Sequence, residues 1–354
     1  MTLEELGWSS FFEESFRSLP TAGLVPGRIA MQHRNAYTVY TSDGEVRAHV
    51  AGKLRYQAGD GSDFPAVGDW VALHTPGGAG AAIIYHILTR KSRFSRKVAG
   101  GRTGEQVVAA NIDTAFLVSG LDGDFNMRRI ERYLVLAYDS GAAPAIILNK
   151  TDLCENLPEI IDAVSVIAPG IPLLSISAGR NEGVEQIRTF LPRGSTGVLL
   201  GSSGVGKSTI INALLGRAVQ KTEAVRENDS RGRHTTSRRE LMLLDGGGML
   251  MDTPGMRELQ LWGDTETVEG SFRDIQDLAL QCKFTDCRHD TEPGCAIQAA
   301  LEEGVLDPER YASYQKLQRE MAYLERKQDE LARRMEKERV KKVTGAHKRM
   351  YKRK

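Results

Sequence analysis

The eight residues Gly201-Ser202-Ser203-Gly204-Val205-Gly206-Lys207-Ser208 constrain this chain more than any other stretch. They match G-x-x-x-x-G-K-[ST] in full, between an apolar run from Thr196 to Leu200 and a helical pattern opening at Thr209. A strand must therefore run into a glycine-rich turn and then a helix, a unit that belongs to an α/β sheet. The glycines let backbone N–H groups face phosphate oxygens with no Cβ in the way. The helix N-terminus adds a favourable potential for an anion. The pattern predicts that residues 201–209 cradle nucleotide phosphates, with Lys207 on the β- and γ-phosphates and Ser208 on Mg²⁺.

The surroundings agree with such a sheet. Between residues 105 and 262, short apolar runs recur at Ile112 to Ser119, Ala145 to Leu148, Leu173 to Ser177, Val198 to Leu200 and Met249 to Met251. Helical stretches such as Met127 to Ala137 and Val184 to Leu191 separate them, which is the pattern of a parallel sheet with helices on both faces. Asp252-Thr253-Pro254-Gly255 follows the last run. A carboxylate at that strand end can reach Mg²⁺ through a water, and the Gly255 N–H can contact a γ-phosphate. Alone, this tetrapeptide is also a good turn. The loop Arg231-Gly232-Arg233-His234-Thr235-Thr236 lies between the two motifs. Thr236, or its neighbour Thr235, could close on Mg²⁺ and the γ-phosphate only when a triphosphate is bound. The other reading of this loop is a basic segment that touches a partner.

A third motif supplies a base site. Asn149-Lys150-Thr151-Asp152 follows the run Ala145 to Leu148. The Asp152 carboxylate can accept hydrogen bonds from guanine N1–H and the 2-amino group, a donor pair that adenine lacks. Asn149 is expected to tie neighbouring loops together, and the Lys150 stem to pack over the ring. Ser177-Ala178 can offer a backbone N–H to guanine O6. The order of the motifs is unusual, because the base motifs at 149 and 177 precede the phosphate motifs at 201 and 252.

In this order the chain resembles the circularly permuted ribosome-assembly GTPases, and among them the small-subunit-dependent GTPase A (RsgA, or YjeQ) family. Phe125-Asn126-Met127-Arg128-Arg129-Ile130-Glu131-Arg132-Tyr133-Leu134, Gly232-Arg233-His234-Thr235-Thr236 and a cysteine cluster carry further resemblance. The likeness covers about residues 24 to 320. It implies a GTPase that binds the small ribosomal subunit and its 16S rRNA and acts in late maturation of that subunit. It also implies that the subunit stimulates turnover and that hydrolysis promotes release. Two other readings stay open: a GTP-gated RNA-binding protein without significant turnover, and a large-subunit assembly GTPase. Many GTPases carry a water-orienting glutamine directly after D-x-x-G. Met256 stands there instead, and a thioether cannot orient water in that way. Slow intrinsic hydrolysis is expected, with His234 as the candidate for positioning the water or, alternatively, a surface histidine that meets a partner.

Cys282, Cys287, His289 and Cys295 form C-x4-C-x-H-x5-C. Such clustering without a secretory signal favours a metal over a disulfide. Three thiolates and an imidazole satisfy tetrahedral Zn²⁺ and leave no open position, so the site is expected to be structural. The resemblance implies zinc as well. Cys154 stands alone and is expected to pack as a small apolar residue. Lys283 and Arg288, beside the cluster, could meet RNA.

The remaining segments complete a multidomain reading. Residues 1–22 form an N-terminal helical segment in which Leu3, Leu6, Phe12, Phe16 and Leu19 could share a face. Residues 23–103 hold an all-β, OB-fold-like barrel, expected to bind RNA, and a basic linker. Its strands are read at Tyr37 to Thr41, Glu45 to Tyr56, Asp69 to His74 and Ala81 to Leu88. In the linker, Arg93, Phe94 and Arg96 suit stacking and phosphate contact, or simply a solvated connection. Residues 104–264 form the permuted α/β GTPase domain, 265–320 an α-helical zinc-binding domain and 321–354 a basic helical tail. From Arg333 onward, 11 Lys and Arg face 2 Glu, a net of +9 against +1 for the whole chain, so the rest of the chain is net acidic. A polyanion such as RNA suits this tail. With no long apolar run and an acidic N-terminus, a cytoplasmic monomer with no membrane or DNA partner is expected.

Overall fold

The computed structural model describes residues 1–58, 61–76, 80–97, 105–217, 239–252, 265–324 and 326. His234, Thr235, Thr236, Gly255, Met256 and the basic tail from Arg333 lie outside the described residues. The described residues fall into two compact units, one up to residue 252 and one from 265 onward.

The first unit opens with α1 (Ser10–Arg17), β1 (Val25–Gln32), β2 (Tyr37–Thr41), β3 (Gly44–Val50), α2 (Gly52–Gln57), β4 (Trp70–His74) and β5 (Ala82–Ile87). The strands close in the order β1-β2-β3-β5-β4-β1, with β3 and β5 parallel and the other pairs antiparallel. This is a five-stranded barrel of OB type, with a short helix between its third and fourth strands. The expected strand from Glu45 to Tyr56 stops at Val50, and Gly52–Gln57 is helical. The chain breaks there because Val50 is the last residue paired with β5, so beyond it no ladder partner remains. Only Ser10–Arg17 of the N-terminal segment is helix, yet Leu3, Leu6, Phe12, Phe16 and Leu19 all join one cluster around Trp70 on the barrel. Trp8 stands edge-on to Trp70 with ring centroids 4.7 Å apart.

The chain continues through β6 (Arg93–Lys97), β7 (Glu105–Ala110), β8 (Thr114–Gly120), α3 (Met127–Ser140), β9 (Ala143–Asn149), α4 (Leu157–Ile167), β10 (Leu173–Ile176), β11 (Thr196–Leu200), α5 (Lys207–Leu215), β12 (Glu240–Leu243) and β13 (Met249–Asp252). Its sheet runs β10-β9-β8-β11-β13-β12, parallel except for β12. Strands β8 and β11 are buried along their whole length, as central strands covered on both faces are. The stretch Val184–Phe190 is a 3-10 turn, and it shares a core with α5: Val184, Ile187, Ile210, Ile211 and Leu214 meet Phe116, Ile147 and Leu250 of the sheet. Helix α3 packs on β8 and β9 and ends where Gly141 takes φ 83°.

The linker does not offer an aromatic for stacking. Phe94 lies on β6, which pairs with β7, and is 2% exposed. Arg90 is bonded at both Nε and Nη2 to the buried Asp69 carboxylate, at 2.8 and 2.7 Å. Cys154 is half-buried in a turn, with Sγ 3.6 Å from Asn156 Oδ1, rather than in the core.

Arg28 of β1 joins barrel and sheet. Its buried guanidinium donates to Gly68 O (3.3 Å), Asn111 O (3.0 Å), Thr196 Oγ1 (2.8 Å) and the carbonyl of Leu6. Burial pushes its pKa down to about 10, so it remains a cation at neutral pH. Strand β1 also pairs with β12 at Met31 and Glu240, so the barrel and the sheet are one continuous ladder.

The second unit holds α6 (Thr265–Ser271), α7 (Arg273–Ala279), α8 (Ala296–Glu302) and α9 (308–324). Phe272, Ile275, Ile297, Tyr314, Leu317 and Met321 are buried in it. Arg310 forks onto Asp274, with bonds of 2.7 and 2.6 Å, and ties α9 to α7. No described helix is long and apolar enough to cross a membrane.

Candidate nucleotide site and metal centre

The site gathers at the C-terminal ends of β8, β9, β10, β11 and β13, where an open parallel sheet leaves a crevice. The chain leaves β11 at Leu200, turns through residues 201–206 and enters α5 at Lys207. Gly206 caps that helix at φ 97°, and a Cβ there would collide with the Asn149 amide. Glycine at this position therefore serves both the turn and the approach of the base motif. The loop apex, Ser203 and Gly204, is exposed, whereas Val205 is buried in the core beside Phe116 and Ile210. The first N–H groups of α5, at Lys207, Ser208 and Thr209, point out of the helix end by its geometry. Lys207 Nζ donates to Gly201 O (2.8 Å) and Ser202 O (2.6 Å), which holds the ammonium at the loop. Asp252 ends β13, the neighbour of β11.

Asn149 ends β9 and is 2% exposed. Its Nδ2 donates to Val205 O at 2.7 Å, and its Oδ1 accepts from Ala178 N at 3.0 Å. One amide thus bonds both the phosphate loop and the loop after β10. Of the Ser177-Ala178 pair, expected to offer a backbone N–H to guanine O6, the Ala178 N–H donates in this structure to Asn149 Oδ1 and the Ser177 N–H to Glu182 O at 3.0 Å. Lys150 follows in the left-handed region at φ 66°, which turns the chain sharply into the 3-10 turn Thr151–Leu153. Its ammonium pairs with Asp122. Although partial burial pushes the Asp122 carboxyl up, its bonds to Lys150 and the Asp124 N–H hold it below the ordinary value.

Asp152 Oδ1 accepts from Ser177 Oγ at 2.6 Å, and Oδ2 lies 3.6 Å from Arg180 Nε. The Ser177 hydrogen bond holds the Asp152 carboxyl below the usual 3.8, so it is an anionic double acceptor at neutral pH. That is the hydrogen-bonding complement of a guanine edge. Asn149, Lys150, Asp152, Ser177 and Ala178 are therefore gathered with residues 201–209, whatever the separation in sequence.

Four site-lining residues were not expected from the sequence: Asp122, Asp124, Arg129 and Arg180. Asp122 and Asp124 stand in the loop after β8, beside the phosphate loop. Arg129 lies in the Phe125 to Leu134 stretch that carried the family resemblance without a stated role, and Asn126 caps its helix, Oδ1 accepting the Arg129 N–H at 3.1 Å.

In the second unit, the ligand atoms of Cys282, Cys287, His289 and Cys295 all lie within 4.8 Å of one another. Cys282 Sγ is 3.5 Å from His289 Nδ1 and 3.9 Å from Cys295 Sγ, and Cys295 Sγ is 3.6 Å from His289 Nδ1. A tetrahedron with Zn–S of about 2.3 Å and Zn–N of about 2.05 Å has edges of about 3.8 and 3.6 Å. The donor set fits zinc in both chemistry and spacing. The loop is braced from α8 and from within: Gln298 Nε2 donates to His289 O at 2.7 Å, and the Glu292 carboxylate of the loop accepts the N–H groups of Arg288 (3.0 Å) and Asp290 (2.9 Å).

Known proteins resemble this chain in sequence and fold. The family profile described as RsgA GTPase matches residues 87–262. A protein of Opitutus terrae named "Small ribosomal subunit biogenesis GTPase RsgA" is 45% identical over 352 residues, covering 97% of this chain and 96% of its own length. One of Oceanobacillus iheyensis, "Small ribosomal subunit biogenesis GTPase RsgA 1", is 48% identical over 318 residues, covering 90% of this chain and 91% of its own. Among solved structures, YjeQ from Thermotoga maritima superposes with a TM-score of 0.63 at 28% identity, covering 84% of this chain and 99% of that one. YloQ, titled a circularly permuted GTPase, gives 0.57 at 23% identity over 87% of this chain and 97% of that one, and bears on the fold alone. A barrel, a permuted phosphate-loop sheet and a Cys3His helical unit, with 45% identity along almost the whole chain, place this protein in the RsgA GTPase family, as a GTP hydrolase.

Proposed function

We propose that this GTPase binds the small ribosomal subunit through its 16S rRNA, acts in late maturation of that subunit, and leaves it when GTP is hydrolysed to GDP and phosphate. The observation that carries the nucleotide half of the reading is the Asn149 amide, bonded at once to Val205 of the phosphate loop and Ala178 of the base loop. The names of two near-full-length relatives support the partner.

In this reading Asp152 accepts the guanine N1–H and 2-amino groups, and the Lys150 stem lies along the ring. The loop of residues 201–209, through its N–H groups and the Lys207 ammonium, holds the β- and γ-phosphates, with the Gly255 N–H on the γ-phosphate. Ser208, Asp252 and Thr236 (or Thr235) would hold Mg²⁺, which neutralises charge on the phosphates when bound. Met256 leaves the attacking water without a glutamine, so His234 orients it and contact with the subunit completes the arrangement. Cys282, Cys287, His289 and Cys295 hold one structural Zn²⁺ that fixes the C-terminal unit for contact with RNA. The protein works as a cytoplasmic monomer, with domain limits at 22, 103, 264 and 320 and a basic tail that meets rRNA.

Co-sedimentation tests the partner and the switch together. With a non-hydrolysable GTP analogue, the protein should pellet with isolated small subunits and not with large ones, and GDP should release it. Equal retention in both nucleotide states, or retention on large subunits alone, would contradict the reading.

A further inference from the structure

The segment from Phe125 to Leu134 has no part in the mechanism above, yet one of its side chains touches the phosphate loop. Arg129 sits in the first turn of α3, and its guanidinium folds back over the preceding loop. Nη1 donates to Asp124 O (3.1 Å) and Asp124 Oδ2 (2.6 Å), and Nη2 donates to Asp124 Oδ1 (3.1 Å). Nη1 also donates to Ser202 Oγ at 3.0 Å, and Ser202 Oγ donates in turn to Asp124 Oδ2 at 2.9 Å. The three side chains form a closed ring, charge-assisted on every side, because each bond has the Arg129 guanidinium or the Asp124 carboxylate as a partner.

The ring has a clear place in the loop. The exposed apex of the phosphate loop, Ser203 and Gly204, is flanked by one held residue on each side. On the α5 side, Val205 is held by Asn149. On the β11 side, Ser202 is held by Arg129 and Asp124 at its hydroxyl and by Lys207 at its carbonyl. Asp124 is itself tied back to the base motif, because its N–H donates to Asp122 (3.3 Å), the carboxylate that pairs with Lys150.

We propose that Arg129 is a positioning residue for phosphate binding: clasped by Asp124, it fixes Ser202 and so presets the β11 half of the phosphate loop in the shape that receives the nucleotide. This rests on the reading of residues 201–209 as the phosphate cradle. A free cation could instead act on the transferred phosphate directly. The bidentate Asp124 carboxylate neutralises this guanidinium, so its effect runs through Ser202 and not through charge on the substrate. A loop held before binding loses less conformational freedom on binding, and affinity gains by that difference.

The test is GDP and IDP binding by the full chain with Mg²⁺, for the unsubstituted protein, Arg129→Ala, Arg129→Lys, Ser202→Ala and the Arg129→Ala/Ser202→Ala double variant, each with a melting curve. One charged hydrogen bond corresponds to roughly tenfold or more in affinity. Arg129→Ala and Ser202→Ala should each weaken GDP about tenfold. The double variant should be no weaker than either single one, since both break the same ring. Arg129→Lys should recover only part, because an ammonium cannot reproduce the fork. The GDP-to-IDP ratio, which reads the base site, should not change. Unchanged GDP affinity in Arg129→Ala, additive losses in the double variant, or a shifted GDP-to-IDP ratio would each overturn the inference. Failure of the unsubstituted protein to bind GDP would instead overturn the nucleotide reading beneath it.

Discussion

Replacing Asn149 with alanine should damage nucleotide binding far beyond the loss of one base contact. The side chain makes two hydrogen bonds, of 2.7 Å to Val205 O and 3.0 Å from Ala178 N, and all three residues are buried. Truncation leaves one carbonyl and one N–H without their partner where water enters poorly. Each such orphan costs about 1–3 kcal/mol, so two sum to about 2–6 kcal/mol, and local relaxation brings a realistic value to about 3 kcal/mol. If most of this falls on the ordering of the two loops around a ligand, affinity drops by roughly a hundredfold. Titration of a fluorescent GDP analogue at fixed Mg²⁺, with melting curves on the same samples, measures both shares. A loss below about threefold at an unchanged melting temperature would refute the view that this amide joins the two halves of the site.

Other perturbations read other parts of the account. Asp152→Asn removes an anionic acceptor, so GDP should weaken about a hundredfold while xanthosine diphosphate, with a carbonyl at C2, binds better; unchanged preference would contradict the role of Asp152. The Ser177 bond depresses the Asp152 carboxyl, so base binding should be fully present above pH 3.8 and fade only as pH falls through the lowered value. Ser177→Ala should move that onset upward, as a pH series of GDP affinity would read. Metal analysis should find one zinc per chain, and Glu292→Ala should weaken zinc about tenfold by freeing the loop around His289; unaltered affinity would show the loop needs no such support. Arg28→Met strips the Leu6 and Asn111 carbonyls of a buried donor, whereas Gly68 O keeps its bond from Asn111 Nδ2 at 3.0 Å. Urea unfolding should lose about 3 kcal/mol, and a loss under about 1 kcal/mol would remove Arg28 as the link between barrel and sheet.

The sequence exposed the motif-bearing strand ends well, because phosphate and base chemistry demand fixed residue types at short spacing. It hid what depends on distant partners. Strand β1 escaped notice: it carries Pro26 and Gly27, its pairing with β2 is bulged between Ile29 and Met31, and its four central residues are all buried where a half-buried strand would alternate. Yet β1 closes the barrel and bridges to β12. Arg28 looks like a surface residue by type, and only three carbonyls and the Thr196 hydroxyl, gathered from four separate segments, explain its burial. Phe94 fitted an RNA-stacking pattern by its basic neighbours, but pairing of β6 with β7 turned it inward. The contact of Arg129 with Ser202 crosses 73 residues of chain, and no local spacing could reveal it.

The most direct test of the central claim is GTP turnover by the purified protein, alone and with isolated small or large ribosomal subunits. The account predicts slow turnover alone and large stimulation by the small subunit only. Equal turnover under all three conditions, or stimulation by the large subunit alone, would contradict it.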